Sequence, residues 1–316
     1  MKAMVIPRFG GPDVFEQRDV ETPTPGPGEI LIRVLATSVN PVDAKIRAAG
    51  AWAGIKPPAI LGYDAAGVVE QVGPGVTEFH VGDDVFYTPE IFGNQFGTYA
   101  QYEPVPATIV AKKPSALSYV DAAAVPLAGG TAWEAIVRRL QIRPGETVLI
   151  HGGAGGVGSF AVQIAKAAGA RVLATAGPDN QRTLRELGAD VPIDYHSQDF
   201  AEIALRETGG AGVDAVFDTV GGEFVAKSCA VTRHFGRLAT ILAPHGDFSQ
   251  AYIRNQTIYG VFLTRERKRL EEMSRLLERK QIRPLIDAEW PLERVADAHR
   301  RLDSGHGRGK IVLRVE

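Results

Sequence analysis

The chain has 316 residues, enough for two domains at the usual ~150 residues each, and 45% hydrophobic and 23% charged residues are ordinary for a globular protein. A formal net charge of −2 argues against a nucleic-acid or membrane-surface partner, and no apolar run approaches the ~18–20 residues that span a bilayer. The single cysteine, Cys229, excludes an intramolecular disulfide. Pro7 and Arg8 interrupt the region where a signal peptide is apolar, so we expect a cytoplasmic protein.

Residues 1–120 contain short apolar or alternating runs that are separated by glycine and proline. Strands are predicted at 29–39, 65–73 and 83–88, with a turn-rich segment, TPTPGPG, ahead of the first of them. Because the turn signals lie close to strand-like runs on both sides, we interpret this region as a mostly β unit rather than as a unit with a flexible linker.

The pattern changes near residue 145, where strand-like and helix-like segments begin to alternate. Strands are predicted at 146–152, 171–176, 190–195, 212–221 and 236–242, with a sixth candidate at 256–263, and helices at 157–170, 180–188, 197–209 and 223–231. In the first of these helices the apolar residues recur at i, i+3 and i+4. Such alternation predicts a parallel sheet with helices on both faces.

The stretch 264–283 is rich in charge and raises the question of an RNA-binding patch. Four glutamates interleave with its basic residues, and Leu270, Met273 and Leu277 form an apolar stripe at helical spacing. This pattern favours a solvated amphipathic helix over a nucleic-acid surface.

A glycine-rich loop, HGGAGGVG at 151–158, directly follows the strand at 146–152 and opens the helix at 157–170. It contains the spacing G-x-G-x-x-G, which in this strand–loop–helix setting predicts a dinucleotide site. The first glycine permits the tight turn, the second lets the backbone approach a pyrophosphate, and the third lets helix and strand pack closely. The helix N-terminus then directs its N–H groups toward the phosphates. The residues assigned to this site are Gly153, Ala154, Gly155, Gly156 and Val157.

The choice of dinucleotide depends on the end of the second strand, where NAD sites usually carry an acid that binds the ribose 2′-hydroxyl. Here that end reads ATAGP at 174–178 and holds no acid, and Asp179 follows in the turn. Arg182 can instead pair with a 2′-phosphate through a charge-assisted bond worth roughly 1.5–3 kcal/mol. The missing acid predicts NADPH as the cofactor, with Thr175, Asn180 and Arg182 near its adenosine end.

Motifs spread over nearly the whole chain resemble the medium-chain dehydrogenase/reductase superfamily, and more narrowly its zinc-independent quinone oxidoreductases and alkenal or enone reductases. They are SVNPVDAKIR at 38–47, ILGYDAAGVVEQVGPGV at 60–76, VGDDVF at 81–86, AAAVPLAGGTAWEA at 122–135, VLIHGGAGGVG at 148–158, LGADVPIDY at 187–195, FDTVGG at 217–222 and GRGKIVL at 307–313. The resemblance implies an α/β fold with a GroES-like β-barrel domain at 1–122 and a Rossmann domain, a doubly wound parallel sheet, at 123–283. Residues 284–316 are then expected to return to the first domain.

The resemblance also bears on metal binding. Alcohol dehydrogenases of the superfamily hold a catalytic zinc with a cysteine, a Gly-His-Glu motif and a second cysteine. This chain has Asn40 at the first position, Tyr63 within Gly-Tyr-Asp at the second, and Leu127 near the third. The four-cysteine structural zinc lobe is absent from the sequence. Since zinc needs nitrogen or sulfur ligands at ~2.0–2.3 Å, we expect no metal site and no alcohol oxidation that depends on one.

Further site residues follow from the resemblance. Asn40 and Thr131 resemble positions beside the nicotinamide, and Tyr195 resembles a residue near the adenosine phosphate. The remaining cofactor positions that the resemblance implies are Val220 and Leu242 for the ribose or adenine, Phe262 and Leu263 for the carboxamide, and Lys310 for the phosphates.

The same resemblance nominates Asn40 and Tyr63 as catalytic residues, and Trp52 and Tyr63 as substrate contacts. Enoyl-thioester reductases of the superfamily have a catalytic tyrosine in the region where this chain has Trp52, and an indole cannot donate a phenolic proton. Tyr63 or water is therefore the expected proton donor.

These observations predict an NADPH-dependent reductase of quinones or small α,β-unsaturated carbonyls that works without a metal. Two alternatives stay open: an enoyl-thioester reductase, and an NADPH-binding protein with a structural or RNA-binding role and little turnover. The expected partner is a small electrophilic substrate, with neither nucleic acid nor membrane. Members of the family are commonly homodimers with the sixth Rossmann strand at the contact, so a homodimer is expected.

Overall fold

The computed structural model describes residues 1–305 and 307–316, and the chain divides into two compact units. Unit 1 comprises Met1–Ala128, Thr264–Lys280 and Pro284–Glu316, and unit 2 comprises Gly129–Leu263 and Gln281–Arg283. The sequence predicts one domain at 1–122 with a return of 284–316, whereas the structure also groups the segment Thr264–Lys280 with unit 1.

The strands and helices are numbered in chain order. The strands are β1 (Lys2–Ile6), β2 (Glu16–Asp19), β3 (Glu29–Val39), β4 (Ala59–Ile60), β5 (Ala65–Val72), β6 (Asp84–Tyr87), β7 (Tyr102–Pro106), β8 (Ala111–Lys112), β9 (Thr147–His151), β10 (Arg171–Ala176), β11 (Val191–Asp194), β12 (Val213–Asp218), β13 (Thr232–Thr240), β14 (Thr257–Gly260), β15 (Ile286–Pro291) and β16 (Lys310–Arg314). The helices are α1 (Pro41–Ala49), α2 (Tyr119–Ala123), α3 (Pro126–Trp133), α4 (Gly156–Ala167), α5 (Gln181–Glu186), α6 (Phe200–Glu207), α7 (Phe224–Cys229), α8 (Ser249–Ile253), α9 (Arg267–Glu278) and α10 (Val295–Asp303). A π-helical segment, Glu134–Arg139, continues α3.

Unit 1 is built on the long strand β3, EILIRVLATSV, which is mostly apolar and mostly buried. In the larger sheet the order is β15-β16-β3-β5-β6-β8, with β7 also paired to β3, and a smaller sheet has the order β2-β1-β4. All pairings in both sheets are antiparallel except that of β15 with β16. The C-terminal strand β16 pairs with β3, from Ile311 opposite Val39 to Arg314 opposite Ala36, which accounts for the predicted return of the chain to this unit.

Unit 2 contains six parallel strands in the order β11-β10-β9-β12-β13-β14. Renumbered within the unit this is 3-2-1-4-5-6, the order of a doubly wound dinucleotide-binding sheet. Strands β9, β10 and β12 are buried almost throughout, as expected for parallel strands covered on both faces. The predicted strands and helices of this region are confirmed, and the carboxyl ends of the strands meet at one edge of the sheet.

The amphipathic helix predicted within 264–283 is confirmed as α9, and its apolar stripe of Leu270, Met273 and Leu277 is buried. Its first residue, Arg267, donates from Nε to the carbonyl of Val110 at 2.9 Å. This contact with unit 1, and the packing of α9 near β8, explain why the helix belongs to that unit. Charge alternation at 264–283 does not reveal which domain an amphipathic helix covers. Within the described residues, no helix is long and apolar enough to cross a membrane.

Candidate functional site

The glycine loop lies between β9 and α4 at the carboxyl edge of the parallel sheet. Gly152 has a φ of +71° and donates its N–H to Thr175 Oγ1 at 3.2 Å. A Cβ on Gly153 would lie under 3.0 Å from side chains of β10 and α5, and one on Gly158 would overlap the carbonyl oxygen of Gly152. Gly155 differs, because a Cβ there would meet only that carbonyl, at 3.3 Å. Packing thus requires glycine at two of these positions, whereas a side chain at Gly155 would crowd only one atom.

The half-buried Gly155 lies at the start of α4. Gly155 is the N-cap of this 12-residue helix, and among the described residues no side chain caps it. Gly156 and Val157, in the first turn, are half-buried, so the backbone remains accessible there. Uncapped N–H groups and the positive end of the helix dipole form a site that suits a phosphate. The residues present therefore fit the pyrophosphate of a dinucleotide.

A buried histidine supports this loop from below. His151 ends β9, and its Nε2 lies 2.9 Å from Ser228 Oγ while its Nδ1 lies 3.4 Å from Thr175 Oγ1. Burial lowers the pKa of His151 to about 4, so the imidazole is neutral near pH 7. Thr175 is 2% exposed and holds the N–H of Gly152. The structure thus places Thr175, predicted to contact the cofactor, beneath the loop as its support.

A second turn at the same edge is held by Asp218, which ends β12 and is fully buried. Its Oδ1 accepts from the N–H of Val220 at 2.9 Å, and its Oδ2 accepts from Gly221 at 3.1 Å. Val220 is half-exposed, and a Cβ built on Gly152 would lie 3.1 Å from its Cγ2. Leu242 packs against Gly221 on the other side. The predicted residue Val220 therefore lies beside the glycine loop, Leu242 lies beside the turn at Gly221, and Asp218 is a support of this turn that the sequence prediction missed.

A cavity of about 340 Å³ opens beyond the carboxyl ends of β13 and β14. Its lining includes Thr240, Leu242, Pro244, Ile258, Gly260 and Phe262. Phe262 is 55% exposed, whereas the adjacent Leu263 is 5% exposed. Of the two residues predicted to hold the carboxamide, one thus lines the cavity and the other packs into the interior.

Thr131 lies in α3 and is 7% exposed. The helix then changes to the π-helical segment, in which the buried Glu134 pairs with Arg138 at 3.4 Å and with Arg139 at 3.1 Å. Segments of this type occur mostly as local insertions in α-helices and are frequent at functional sites. The structure thus places the predicted residue Thr131 one turn before an irregular helix end.

The end of β10, where the cofactor preference was predicted, carries no acidic side chain. Gln181 fixes the following turn, since its Nε2 donates to the carbonyls of Ala176 at 2.9 Å and Gly177 at 3.2 Å. Asn180 is half-buried in this turn. Arg182 is 89% exposed and its Nε donates to Glu186 Oε1 at 2.7 Å, a partner one helical turn away that the sequence prediction did not consider.

Two rings stand next to that turn. Tyr195 is 55% exposed, and its ring stacks on the imidazole of His196 with centroids 4.6 Å apart and an interplanar angle of 28°. Tyr195 was predicted at the adenosine end of the cofactor, and the structure places it at the same sheet edge as β10. His196 was missed by the sequence prediction, because a lone exposed histidine after a strand carries little signal.

Unit 1 contains a buried polar cluster around a lysine. Lys310 Nζ donates to the carbonyl of Val39 at 3.0 Å and to Asn40 Oδ1, and lies 3.3 Å from Asp64 Oδ2. The Nδ2 of Asn40 donates to the same Asp64 oxygen at 2.9 Å. Lys310, Asn40 and Asp64 are 3%, 1% and 0% exposed. Lys310 was predicted to reach the cofactor phosphates, but its ammonium is occupied by three oxygens of unit 1.

Asp64 receives further hydrogen bonds that complete this cluster. Ser38 Oγ donates to its Oδ2 at 2.7 Å, and the backbone N–H of Leu127 donates to its Oδ1 at 2.7 Å. The resemblance places zinc ligands at Asn40, at Tyr63 and near Leu127, and the ammonium of Lys310 lies beside the first of these. In the described part of the chain, no three His, Cys, Asp or Glu side chains form a group that could hold a metal ion. The residues present do not fit a zinc ion.

Tyr63, the predicted proton donor, is fully buried. Its carbonyl accepts from Thr88 Oγ1 at 2.7 Å, while its phenolic oxygen has no hydrogen-bond partner among the described residues. Burial, reinforced by the charge of Asp43, raises the pKa of the Tyr63 phenol well above its ordinary value. The side chain is therefore a neutral phenol that retains its proton and has a free donor.

A hydrogen-bonded chain supports Asn40 from the opposite side. Asp43 Oδ2 accepts from the N–H of Asn40 at 2.7 Å and from Tyr99 Oη at 2.8 Å. Tyr99 Oη also lies 3.2 Å from His299 Nε2, and Arg47 lies 2.8 Å from His299 Nδ1. Because a guanidinium can only donate, Nδ1 is the acceptor and the ring proton sits on Nε2. Burial raises the pKa of Asp43 to about 7, and burial together with Arg47 lowers that of His299 to about 3.

Trp52, predicted to flank the substrate, is 54% exposed in the turn after α1. Its ring meets that of Phe92 edge to face, with centroids 6.1 Å apart, and Phe92 is 51% exposed. The structure thus places Trp52 in an exposed aromatic pair rather than in the packed core.

Known families and proteins match nearly the whole length of this chain. Residues 26–115 match a family model described as alcohol dehydrogenase GroES-like domain, and residues 187–313 match one described as zinc-binding dehydrogenase. The chain is 32% identical over 329 residues to the quinone oxidoreductase of Homo sapiens, covering 99% of this chain and 97% of that protein. It is 32% identical over 326 residues to the chloroplastic NADPH-dependent alkenal/one oxidoreductase of Arabidopsis thaliana, covering 99% of this chain and 79% of that protein.

A solved structure named as an NAD-dependent alcohol dehydrogenase superposes with a TM-score of 0.94 and 36% identity, over 100% of both chains. The cofactors named for these similar proteins differ. The choice between NADPH and NAD in this chain therefore depends on its own residues at the end of β10.

Proposed function

The chain belongs to the quinone oxidoreductase family of the medium-chain dehydrogenases/reductases, and from this premise we propose that it is an NADPH-dependent reductase of quinones or small α,β-unsaturated carbonyls. The observation that carries the proposal is the glycine loop at the carboxyl edge of the parallel sheet. There the half-buried backbone of Gly155 and the uncapped start of α4 form a binding site for a dinucleotide pyrophosphate.

The cofactor residues that we propose lie in unit 2, most of them at this edge of its sheet. The N–H groups of Gly155, Gly156 and Val157 bind the pyrophosphate, and Gly153 and Ala154 shape the turn. Val220 and Leu242 contact the ribose or adenine, and Asn180 and Tyr195 lie at the adenosine end. Thr131, Phe262 and Leu263 are assigned to the nicotinamide. When bound, NADPH supplies the hydride for the reduction.

The acid-free end of β10 favours NADPH over NADH. An NAD site would use a carboxylate at this point to accept from the ribose 2′-hydroxyl, and that carboxylate would repel a 2′-phosphate. Gly177 offers no side chain, and the neutral Asn180 occupies the turn. A phosphate group is therefore tolerated at this position. Arg182 contributes less than the sequence predicts, because its guanidinium is exposed and paired with Glu186.

In unit 1 we propose Asn40 and Tyr63 as the catalytic residues. Reduction of an enone places a hydride on the β-carbon and a proton on the α-carbon or oxygen, so a donor must stabilise the anion that forms between the two steps. The neutral phenol of Tyr63 and its unpartnered hydroxyl supply such a donor. Lys310 acts as a positioning residue, since its ammonium holds Oδ1 of Asn40 and fixes the orientation of the amide.

The aromatic pair of Trp52 and Phe92 offers an exposed apolar surface for a flat, electron-poor substrate. Because the donor set at Asn40, Tyr63 and Asp64 does not fit zinc, we propose that catalysis proceeds without a metal and depends mainly on positioning. Trp52 stands in the region where enoyl-thioester reductases have a tyrosine, which disfavours an enoyl-thioester substrate.

The test is a panel assay of NADPH consumption with ortho- and para-quinones, 2-alkenals and crotonyl thioesters. The proposal expects turnover of quinones or alkenals, and less zinc than one ion per chain by metal analysis. Turnover restricted to the thioesters would support the enoyl-thioester reductase instead. No turnover on any compound, together with a gel shift of RNA at physiological salt, would support a binding protein.

We also propose a cytoplasmic homodimer. Strand β14 pairs with β13 on one side only within the described residues, so its other edge is available to a second copy of the chain. Exposed apolar side chains lie near it: Phe235 at 69%, Tyr252 at 87% and Ile253 at 60%. Light scattering coupled to gel filtration tests this assignment, and a monomer at micromolar concentration contradicts it. Fractionation of the native cells tests the location.

A further inference from the structure

The segment that precedes α9 brings a cation to the surroundings of Tyr63. Arg265 belongs to unit 1, as Tyr63 does, and its Nε donates to the carbonyl of Pro89 at 3.0 Å. The hydroxyl of the neighbouring Thr88 donates to the carbonyl of Tyr63 at 2.7 Å. Two consecutive residues after β6 thus hold the guanidinium of Arg265 and the backbone of Tyr63.

The backbone around Arg265 is anchored on both sides. On one side, the buried Arg269 donates from Nη2 to Thr264 Oγ1 at 3.0 Å. On the other side, Arg267 donates from Nε to the carbonyl of Val110 at 2.9 Å. The half-buried guanidinium of Arg265 therefore has a fixed position. A guanidinium suits the recognition of a carboxylate because its planar donors match the two carboxylate oxygens.

The buried carboxyls around Tyr63 are engaged within the fold. Asp43 accepts from Tyr99, and Asp64 lies 3.3 Å from the ammonium of Lys310. Glu103 Oε2 accepts from the hydroxyl of Tyr87 at 2.7 Å. By contrast, the hydroxyl of Tyr63 is fully buried and has no hydrogen-bond partner among the described residues.

The electrostatics around Tyr63 and Arg265 are compatible with an anion. Burial raises the pKa of the Tyr63 phenol, and the positive charge of Arg265 opposes this rise. The guanidinium remains charged near pH 7 although burial lowers its pKa, an effect that the negative charges of Glu90 and Asp64 oppose. Glu90 is exposed, so solvent and salt screen its charge. An anion beside Tyr63 would therefore meet both a cation and a neutral O–H donor.

We propose that Arg265 binds a carboxylate of the substrate, and that the substrate class is enones that carry such a group, for example (E)-4-oxo-2-pentenoate. This inference rests on the proposed reductase function and names its substrate class. Arg265 holds the carboxylate through charge-assisted hydrogen bonds, and Tyr63 donates to the ketone oxygen. Hydride from NADPH goes to the carbon β to the ketone and a proton to the α-carbon, which gives 4-oxopentanoate and NADP⁺. The carboxylate itself is unchanged.

The first experiment measures kcat and KM for (E)-4-oxo-2-pentenoate and for its methyl ester with the full chain and three variants. The ratio of kcat/KM for acid and ester isolates the carboxylate. In Arg265→Gln we expect the KM of the acid to rise about ten-fold or more, and that of the ester to change less than about two-fold. Arg265→Lys keeps the charge without the planar fork and should recover part of the ratio. Lys268→Gln, which removes an exposed cation at the start of α9, should leave the ratio unchanged.

The second experiment requires no turnover. Isothermal titration calorimetry measures the binding of 4-oxopentanoate and of its methyl ester to the protein with NADP⁺. The wild type is expected to bind the acid about ten-fold or more tightly than the ester, and Arg265→Gln to bind the two equally.

The outcomes separate this inference from the proposed function. If the wild type reduces enones and Arg265→Gln keeps the ratio of acid to ester, the inference is overturned and the reductase proposal stands. If the wild type binds acid and ester equally, the inference is overturned even where Arg265→Gln does not fold. If the wild type reduces no enone or quinone but loses its binding of 4-oxopentanoate in Arg265→Gln, the carboxylate site stands and the proposed function falls.

Discussion

The candidate sites of the two units are made of different kinds of groups. In unit 2 the candidate site is made of backbone: a glycine loop, an uncapped helix start and two turns at one sheet edge. The turns are held by the buried Asp218 and the half-buried Gln181. In unit 1 it is made of buried side chains, with Lys310, Asn40 and Asp64 hydrogen-bonded to one another. A backbone site depends on the space around the main chain, whereas a buried polar cluster depends on every partner being present.

The largest loss of stability is expected when the cluster of Lys310, Asn40 and Asp64 in unit 1 is broken. Lys310→Met leaves Asp64 buried without its cation, and we expect the free energy of unfolding to fall by roughly 3–5 kcal/mol. Urea denaturation measures this loss. The matched control is Lys166→Met, which breaks a half-exposed pair with Asp190 and should cost no more than about 1 kcal/mol. Equal losses in the two variants would show that the cluster has no special role in stability.

The next effect concerns the glycine loop. In Gly158→Ala the new Cβ overlaps the carbonyl oxygen of Gly152, so α4 must shift and we expect a loss of about 1–3 kcal/mol in stability together with weaker NADPH binding. In Gly155→Ala the new Cβ meets only the carbonyl oxygen of Gly152, at 3.3 Å, so the loss of stability should be smaller than in Gly158→Ala while NADPH binding weakens. Thermal unfolding and calorimetric titration of both variants check this contrast. Two variants with the same loss of stability would refute the distinction between packing and binding glycines.

A smaller effect on the free energy of unfolding is expected from the titration of Asp43. In the folded state the pKa of Asp43 is about 7, above its ordinary value of 3.8, so the folded protein binds this proton before the unfolded chain does as the pH falls. The contribution of Asp43 to stability is fully present below the unfolded pKa and is lost as the pH rises through about 7. Relative to wild type, Asp43→Asn should therefore become less stable by roughly 1.4 kcal/mol for each pH unit of acidification between about 7 and 4. Parallel stability curves for the two proteins would contradict the raised pKa.

The smallest effect is expected at Arg182. Because its guanidinium is 89% exposed and paired along α5, Arg182→Gln should change NADPH affinity by less than about two-fold and leave stability nearly unchanged. Calorimetric titration with NADPH measures this affinity. A ten-fold loss in the variant would show that Arg182 binds the 2′-phosphate after all.

The same contrast explains what the sequence could predict. The strand, loop and helix around Gly155 are adjacent in the chain, so their order and spacing predict both the sheet and the phosphate site. The hydrophobic stripe of α9 likewise predicts a helix, but the unit that it covers depends on Arg267 and on β8, which are far apart in sequence.

The cluster in unit 1 could not be predicted in this way. Lys310 meets Asn40 only because β16 pairs with β3, a register that no local pattern encodes. The chain from Asp43 through Tyr99 to His299 joins three distant segments, and its members each resemble ordinary core or surface residues on their own. Resemblance to a family located Asn40, Tyr63 and Lys310, but it did not reveal that the ammonium and the amide are partners.

The central claim, metal-free hydride transfer from NADPH to an electrophilic carbon, is tested most directly by isotope labelling. The protein is treated with a strong chelator, and a 2-alkenal is reduced with NADPH carrying deuterium at the transferable position of the nicotinamide. Mass spectrometry and NMR of the product should show one deuterium on the β-carbon, at a rate unaffected by the chelator. Product without deuterium, or activity that is lost with the chelator and restored by zinc, would contradict the account.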